Sequence, residues 1–327
     1  MKKILLTSGV ALLASTGLVA ADSISFAGDG RMGVVYDRNA DDEFRIDSRV
    51  RGYFFFDAET DGGLGFGGRI RIQDAAVTGG GDTAAGFNHV YIESDFGRLM
   101  VGDVGSAAQS AVGDLSGVGF TGLGFFNETD FFIRNFNGGV VLPTTRNKAL
   151  YSYDIDAFSV YASTGPIDGA ISVYSVGASY DAGMFAVGAG FEYADADAGT
   201  FLTPLPTATN GGDGTHFTGS VEGDFDMFSA KVTAGYAGGD LGDDLDNANL
   251  NQWQLGVGAD ATFDATTVTA FVRQDFFKDR HFGLGASHDL GGGASLDAGV
   301  RHTRYNMNTA RGDSTDTFAD LGINMSF

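Results

Sequence analysis

Six arginines, Arg31, Arg45, Arg49, Arg51, Arg69 and Arg71, crowd the N-terminal part of this chain. A guanidinium keeps its charge at any physiological pH and presents a planar fork of N–H donors, so such a group holds anions or biases which ions pass it. Carboxylates gather in two other stretches: Asp114, Glu128 and Asp130 in a Gly- and Phe-rich segment, and Asp240, Asp243, Asp244 and Asp246 in an acidic one. Ca²⁺ takes several carboxylate oxygens, which makes the second group a metal candidate, but its spacing matches no EF-hand loop and a solvated outer loop is the better reading. Asp195 and Asp197 read the same way, and no cofactor is expected.

Covalent catalysis needs a nucleophile beside a base that a third group orients. The five histidines, His89, His216, His281, His288 and His302, lie in no recognisable Ser or His motif, so a lipid-hydrolysing barrel is the lesser reading. GLGASHDLGGG at 283–293 is Gly-rich like a nucleotide loop, but it joins alternating segments with no helix to bind an anion.

The elements that must position these groups follow from hydropathy. The closing TFADLGINMSF sets Ala319, Leu321, Ile323, Met325 and Phe327 on alternate positions, with Asp320, Asn324 and Ser326 between them. A period of two is a strand with one apolar and one polar face. Left open at the edge of a soluble sheet it is a pairing hazard, and closing a barrel in a membrane removes that edge. The chain beyond its first residues has no apolar stretch long enough for a membrane helix, so it spans a bilayer, if at all, as a closed antiparallel barrel.

Sixteen segments alternate in this way, at about 24–36, 44–56, 64–74, 86–94, 97–102, 147–154, 157–164, 171–181, 184–194, 215–224, 227–236, 251–263, 265–276, 280–289, 293–304 and 316–327. The count is even, as a single-chain bacterial barrel needs. Connections after even strands are brief, such as Phe96-Gly97, Ile155-Asp156, Ala182-Gly183, Asp264 and Leu290-Gly291-Gly292, and those after most odd strands are long, as at 195–214, 237–250 and 305–315. Short periplasmic turns and long outer loops produce that asymmetry.

Parity places the six arginines on the polar, inward faces of the first three strands, and the alternative is costly: an arginine facing lipid near mid-membrane costs about 2–4 kcal/mol. Inward parity also collects Asp29, Asp47, Glu93, Glu222, Asp224, Asp260, Asp275, Asp297 and Asp320. In the fifteenth strand, keeping Leu296, Ala298 and Val300 outward turns His302 and Arg304 outward too, which suggests a bulge, a subunit contact or a position above the membrane.

Composition agrees with one barrel domain: 327 residues with 51 Gly and 28 Phe against 4 Pro, and no second composition type. Without Cys there is no disulfide scaffold, and a net charge of −22 argues against nucleic acid as a partner. Lys2 and Lys3, an apolar run from Ile4 to Val19 and the small Val19-Ala20-Ala21 site have the layout of a secretory signal peptide. Residues 1–21 are expected to be removed, leaving 22–327 as the barrel.

The segments GDGRMGVVYD (28–37), GRLMVGDVGSAAQSAVGDLSGVGF (97–120), FGLGASHDLGGGASLDAGV (282–300) and the closing FADLGINMSF resemble the trimeric general diffusion porins of alphaproteobacteria, the purple non-sulphur bacterial type. The resemblance implies a 16-stranded barrel whose third loop, here about 103–146, folds inward and narrows the channel. It implies arginines on the wall facing carboxylates on that loop, with Arg31, Arg49, Arg51 and Arg71 at the family's basic positions and Asp114 at a family acid. Gly117 and Gly122 stand where further acids are expected, with Glu128 and Asp130 as substitutes. Phe120, Phe125, Phe126, Phe131 and Phe132 on the same loop read as packing rather than as a solute track.

The expected function is passive diffusion of small hydrophilic solutes and ions across the outer membrane, with weak cation preference. Expected partners are outer-membrane lipid and lipopolysaccharide and two further copies in a homotrimer. Both termini are expected on the periplasmic side. A substrate-specific channel for sugars or anions is the alternative on the same barrel.

Overall fold

The computed structural model describes residues 23–77, 80–132, 148–165, 171–197, 212–247, 249–306 and 315–327. The expected signal segment and the end of the third loop, 133–146, lie outside the described residues. Sixteen antiparallel strands form one closed barrel in chain order. They are β1 (Ser23–Asp37), β2 (Phe44–Glu59), β3 (Gly65–Val77), β4 (Gly80–Ser94), β5 (Gly97–Gly102), β6 (Lys148–Ile155), β7 (Phe158–Thr164), β8 (Ile171–Asp181), β9 (Phe185–Ala196), β10 (Gly212–Asp224), β11 (Phe228–Gly238), β12 (Trp253–Phe263), β13 (Thr266–Gln274), β14 (Arg280–Gly291), β15 (Ala294–Arg304) and β16 (Thr315–Ser326).

Closure joins β1 to β16, with Val34 opposite Leu321 and Gly30 opposite Met325. Beyond the ladder the Phe327 N–H donates to the Gly28 carbonyl at 3.0 Å. The terminal apolar strand therefore has no open edge. Exposure alternates as its period demands: in β2, Phe44, Ile46, Val50 and Phe56 are exposed on the outer face while Asp47 and Tyr53 are buried on the inner one.

At one end the strands turn within a few residues, and Asp156, Asp226 and Asp264 take positive φ there, a conformation that a short carboxylate side chain tolerates. At the other end the connections are longer and two helices depart from the expected loops. These are α1 (Ala107–Val112) and α2 (Gly239–Asn247). The acidic stretch expected as a solvated loop is thus α2, whose Leu241 and Leu245 are buried among Ile171, Val173, Ala194, Ala237 and Phe276. β3 and β4 also run further than the alternation suggested, pairing out to Val77 opposite Gly80 with an irregularity between Arg69 and Arg71.

Asp275, read as a lumenal strand residue, lies just past the end of β13. Its Oδ1 accepts the Phe277 and Asp279 N–H groups, both at 2.9 Å, so it closes a turn. The β15–β16 register runs without a break, so no bulge explains the outward His302 and Arg304; the β14–β15 irregularity at Asp289/Gly291 lies at the opposite end of these strands.

Candidate channel constriction

The third long-end loop leaves β5 and enters the barrel. Ser106 caps α1, accepting the Gln109 N–H at 3.1 Å, and the next free donors of the first turn reach the wall: Ala107 N–H to Ser163 Oγ on β7 at 2.8 Å and Ala108 N–H to Ser175 Oγ on β8 at 2.9 Å. Two wall glycines make this contact possible. A Cβ on Gly190 stands 2.6 Å from the Ala108 Cα, and one on Gly177 stands 2.5 Å from the Ala107 carbonyl oxygen. Small residues on both sides let the helix lie flat on the inner wall.

From α1 the segment follows the wall around the barrel. Leu115 lies over Gly256 and Gly258 of β12, Ser116 donates to Asp260 at 2.6 Å, and Val118 covers Gly285 of β14. At β16, Asp320 accepts both the N–H and the hydroxyl of Thr121, at 2.8 and 2.6 Å. There the chain doubles back. Asn127 donates to the Leu115 carbonyl at 2.6 Å, the Thr129 N–H to Asp114 Oδ1 at 2.8 Å, and the Phe132 N–H to Glu192 at 2.8 Å. Among the described residues, both limbs lie on the wall from β7 round to β16 and reach β1 at Arg31 and Gly33, while from α1 onward they leave the inner faces of β2 and β3 clear.

That clear sector, with β1 beside it, carries the arginines. The register sets Arg31 opposite Arg49 and Asp29 opposite Arg51, then Arg51 opposite Gln73 and Tyr53 opposite Arg71. Like charges directly opposite repel, so counter-ions are needed. Arg31 pairs with Asp47 at 2.8 Å, Arg49 with Asp29 at 2.7 Å and Arg45 with Asp37 at 3.7 Å. Arg51 instead donates its Nε–H to Gln73 at 2.8 Å. Arg69 and Arg71 of β3 extend the same inner face, so the sector is rich in cations.

The loop acids expected to face this wall are placed elsewhere in part. Asp114 holds the return limb through Thr129, and Asp130 pairs with Arg273 on β13 at 2.5 Å. Glu128 lies on the same limb, its N–H donating to the Phe125 carbonyl at 3.1 Å. Arg31 meets the loop at the Thr121 carbonyl, at 3.2 Å. Of the loop aromatics, Phe120, Phe131 and Phe132 are buried and Phe126 lies against His281 and Arg301, while Phe125 is 44% exposed.

The anchors Ser163, Ser175, Arg273 and Gln254, whose Oε1 accepts the Asp130 N–H at 2.9 Å, were not singled out from the sequence, although their inward parity was available. A chain from Asp275 to His281 to Thr303, with links of 3.1 Å each, has the connectivity of an acid–base–hydroxyl triad. His281 and Thr303 are both 0% exposed, so no substrate reaches them. The four aspartates Asp240, Asp243, Asp244 and Asp246 lie on or beside the exposed side of α2, where burial and then Asp240 and Asp243 push the Asp244 carboxyl up. Among the described residues no group of three or more His, Cys, Asp or Glu side chains is arranged to hold a metal ion.

Comparison with known proteins agrees with this geometry. The family model described as Gram-negative porin matches residues 7–308. A porin of Rhodobacter capsulatus is 30% identical over 93% of this chain and 100% of its own length. A solved porin structure superposes with a TM-score of 0.71 at 25% identity, and a triple mutant of Rhodopseudomonas blastica porin with 0.68 at 21%, each covering 93% of this chain and 100% of its own. A wall-hugging loop inside a closed 16-stranded barrel, a buried and inaccessible histidine chain and full-length similarity lead to one assignment: the chain belongs to the Gram-negative porin family, outer-membrane channels rather than enzymes.

Proposed function

We infer that this porin is a general diffusion channel for small hydrophilic solutes and ions, with its narrowest section between the third loop and the basic wall formed by Arg31, Arg45, Arg49, Arg51, Arg69 and Arg71. The observation that carries this reading is the docking of the described part of the loop on the wall from β7 to β16, away from the inner faces of β2 and β3 that carry most of these arginines. Lumenal charges of this kind order water and bias ion entry, while the narrowest cross-section sets the size limit. Asp114, Glu128 and Asp130 shape the loop side of that section. The mechanism calls for no cofactor.

The working assembly is a homotrimer in outer-membrane lipid and lipopolysaccharide, with the termini and short turns on the periplasmic side and weak cation preference. Planar-bilayer recording of the purified protein tests the central reading: ohmic steps are expected, without block by added sugars. Insertion without conductance overturns it, and saturable block by one solute replaces it with a specific channel. Native mass measurement in mild detergent checks the trimer.

A further inference from the structure

Every lysine or arginine described in a strand lies on the inner face except two, and those two are neighbours. Arg280, the first residue of β14, stands directly opposite Arg304, the last of β15. Both are exposed on the outer face, since Phe282, Leu284 and Val300 share their parity and are exposed there. Directly opposite side chains have Cβ atoms about 5 Å apart, a spacing at which two guanidiniums repel.

Among the described residues no carboxylate relieves this. Asp279 and Asp316 are buried and engaged: Asp279 accepts the Asn306 N–H at 2.7 Å, and Asp316 pairs with the inward Arg301 at 2.8 Å. Arg280 has one hydrogen bond, from its Nε–H to the neutral Gln274 at 3.0 Å. Among the described residues neither arginine has an ionic partner.

The cross-strand rows give the pair its setting. Gln274, Arg280, Arg304 and Thr315 form one outward row, and Val272, Phe282, His302 and Thr317 the next. His302 is held to Thr317 at 2.9 Å. Below them, Leu284 faces Val300 and Ala286 faces Ala298, which is lipid-facing wall. The polar rows therefore lie at the rim of the apolar band, at the long-loop end, where lipid headgroups sit and where arginine can present its fork to a phosphate.

We propose that Arg280 and Arg304, with His302 beneath them, clamp the phosphate monoester of an anionic membrane lipid at the long-loop rim of β14 and β15. A dianionic monoester offers oxygens to both guanidiniums at once, and so converts a repulsive pair into two charge-assisted contacts. This rests on the reading of the barrel as membrane-embedded with its long loops at the outer surface. It goes further in naming the site and the headgroup chemistry.

The test uses the full chain in phosphatidylcholine vesicles doped with phosphatidic acid, which carries a monoester, or with phosphatidylglycerol, a diester. After gentle extraction, lipid retained per chain is counted by native mass spectrometry. Phosphatidic acid should be retained about tenfold over phosphatidylcholine and above phosphatidylglycerol. Arg280→Gln with Arg304→Gln should abolish the preference, and Arg280→Lys with Arg304→Lys should keep part of it, with channel conductance unchanged in both. A wild-type protein that conducts but shows no lipid preference overturns the proposal and leaves the porin reading intact. Loss of oligomer in the Gln variant with lipid retention unchanged also overturns it, assigning the pair to a subunit contact. Failure to insert or conduct counts against the channel reading instead.

Discussion

Among the described residues Arg51 has no carboxylate contact: its Nε–H goes to Gln73, while its β1 partner Asp29 pairs with Arg49 at 2.7 Å. It is half-buried on the inner wall, so its field reaches the water of the lumen weakly screened. Replacing Arg51 and Arg49 by Gln should raise the cation-to-anion permeability ratio by roughly twofold at low salt, the scale of a few tenths of a kcal/mol for partly solvated charges. An unchanged reversal potential would show that ions pass out of reach of this wall. The arginines were legible as inward residues from parity alone, because a period of two assigns a face to every position once one face is known. Which arginine keeps a carboxylate was not, since that depends on register between strands and on side-chain reach.

At the scale of elements, the third loop is held by the wall rather than by its own structure. α1 has six residues, too few to be stable alone, and it forms because Ser163 and Ser175 accept its first donors and wall glycines admit its backbone. This is why periodicity missed it, and why α2 was missed too: its acids resemble a loop until Leu241 and Leu245 find a buried cluster. Gly190→Val places a branched side chain against the Ala108 backbone, an overpacking cost of about 1–3 kcal/mol, and should push α1 into the lumen and lower single-channel conductance. Deleting Ala107 to Asn137 should do the opposite, raising conductance while the barrel still assembles, because every strand pair closes without the loop. Equal conductance in both variants would place the loop outside the ion path.

The return limb docks beside a group that titrates. Asp275, past the end of β13, is pushed up to about 7 by burial first and by the Asp130 carboxylate next, against Arg273 and the backbone donors of Asp279 and Phe277. His281 and Thr303 complete the hydrogen-bonded chain on its other side. A carboxyl raised above its unfolded value near 4 binds its proton more tightly when folded, so its contribution to stability is complete below about pH 4 and is lost as pH rises through about 7. Amide exchange at Phe277 and Asp279, corrected for intrinsic rate, should therefore show less protection at about pH 8 than at about pH 5.5. Asp275→Asn should remove the difference, and a persistent difference in that variant would assign it to another group.

For the whole molecule, the sixteen strands were readable because alternation and turn length are local properties, and barrel closure followed because membrane lipid tolerates no open edge. The field inside is a global property, set by which charges face one another across the lumen. Removal of Lys2 and Lys3 with a leader would take the formal charge from −22 to about −24, a surplus that concentrates cations at the channel mouths. Against it stands the cationic sector of β1 to β3, set deep enough to be screened less than the mouths. Long-range attraction at the mouths should prevail at low salt, giving weak cation preference, and should fade as the Debye length shrinks from about 30 Å at 0.01 M to about 3 Å at 1 M. Reversal potentials across a fixed concentration ratio, repeated at rising mean salt, measure this directly. A clear anion preference at low salt would place control of the field in the arginines, because the mouths are then at their strongest and still lose.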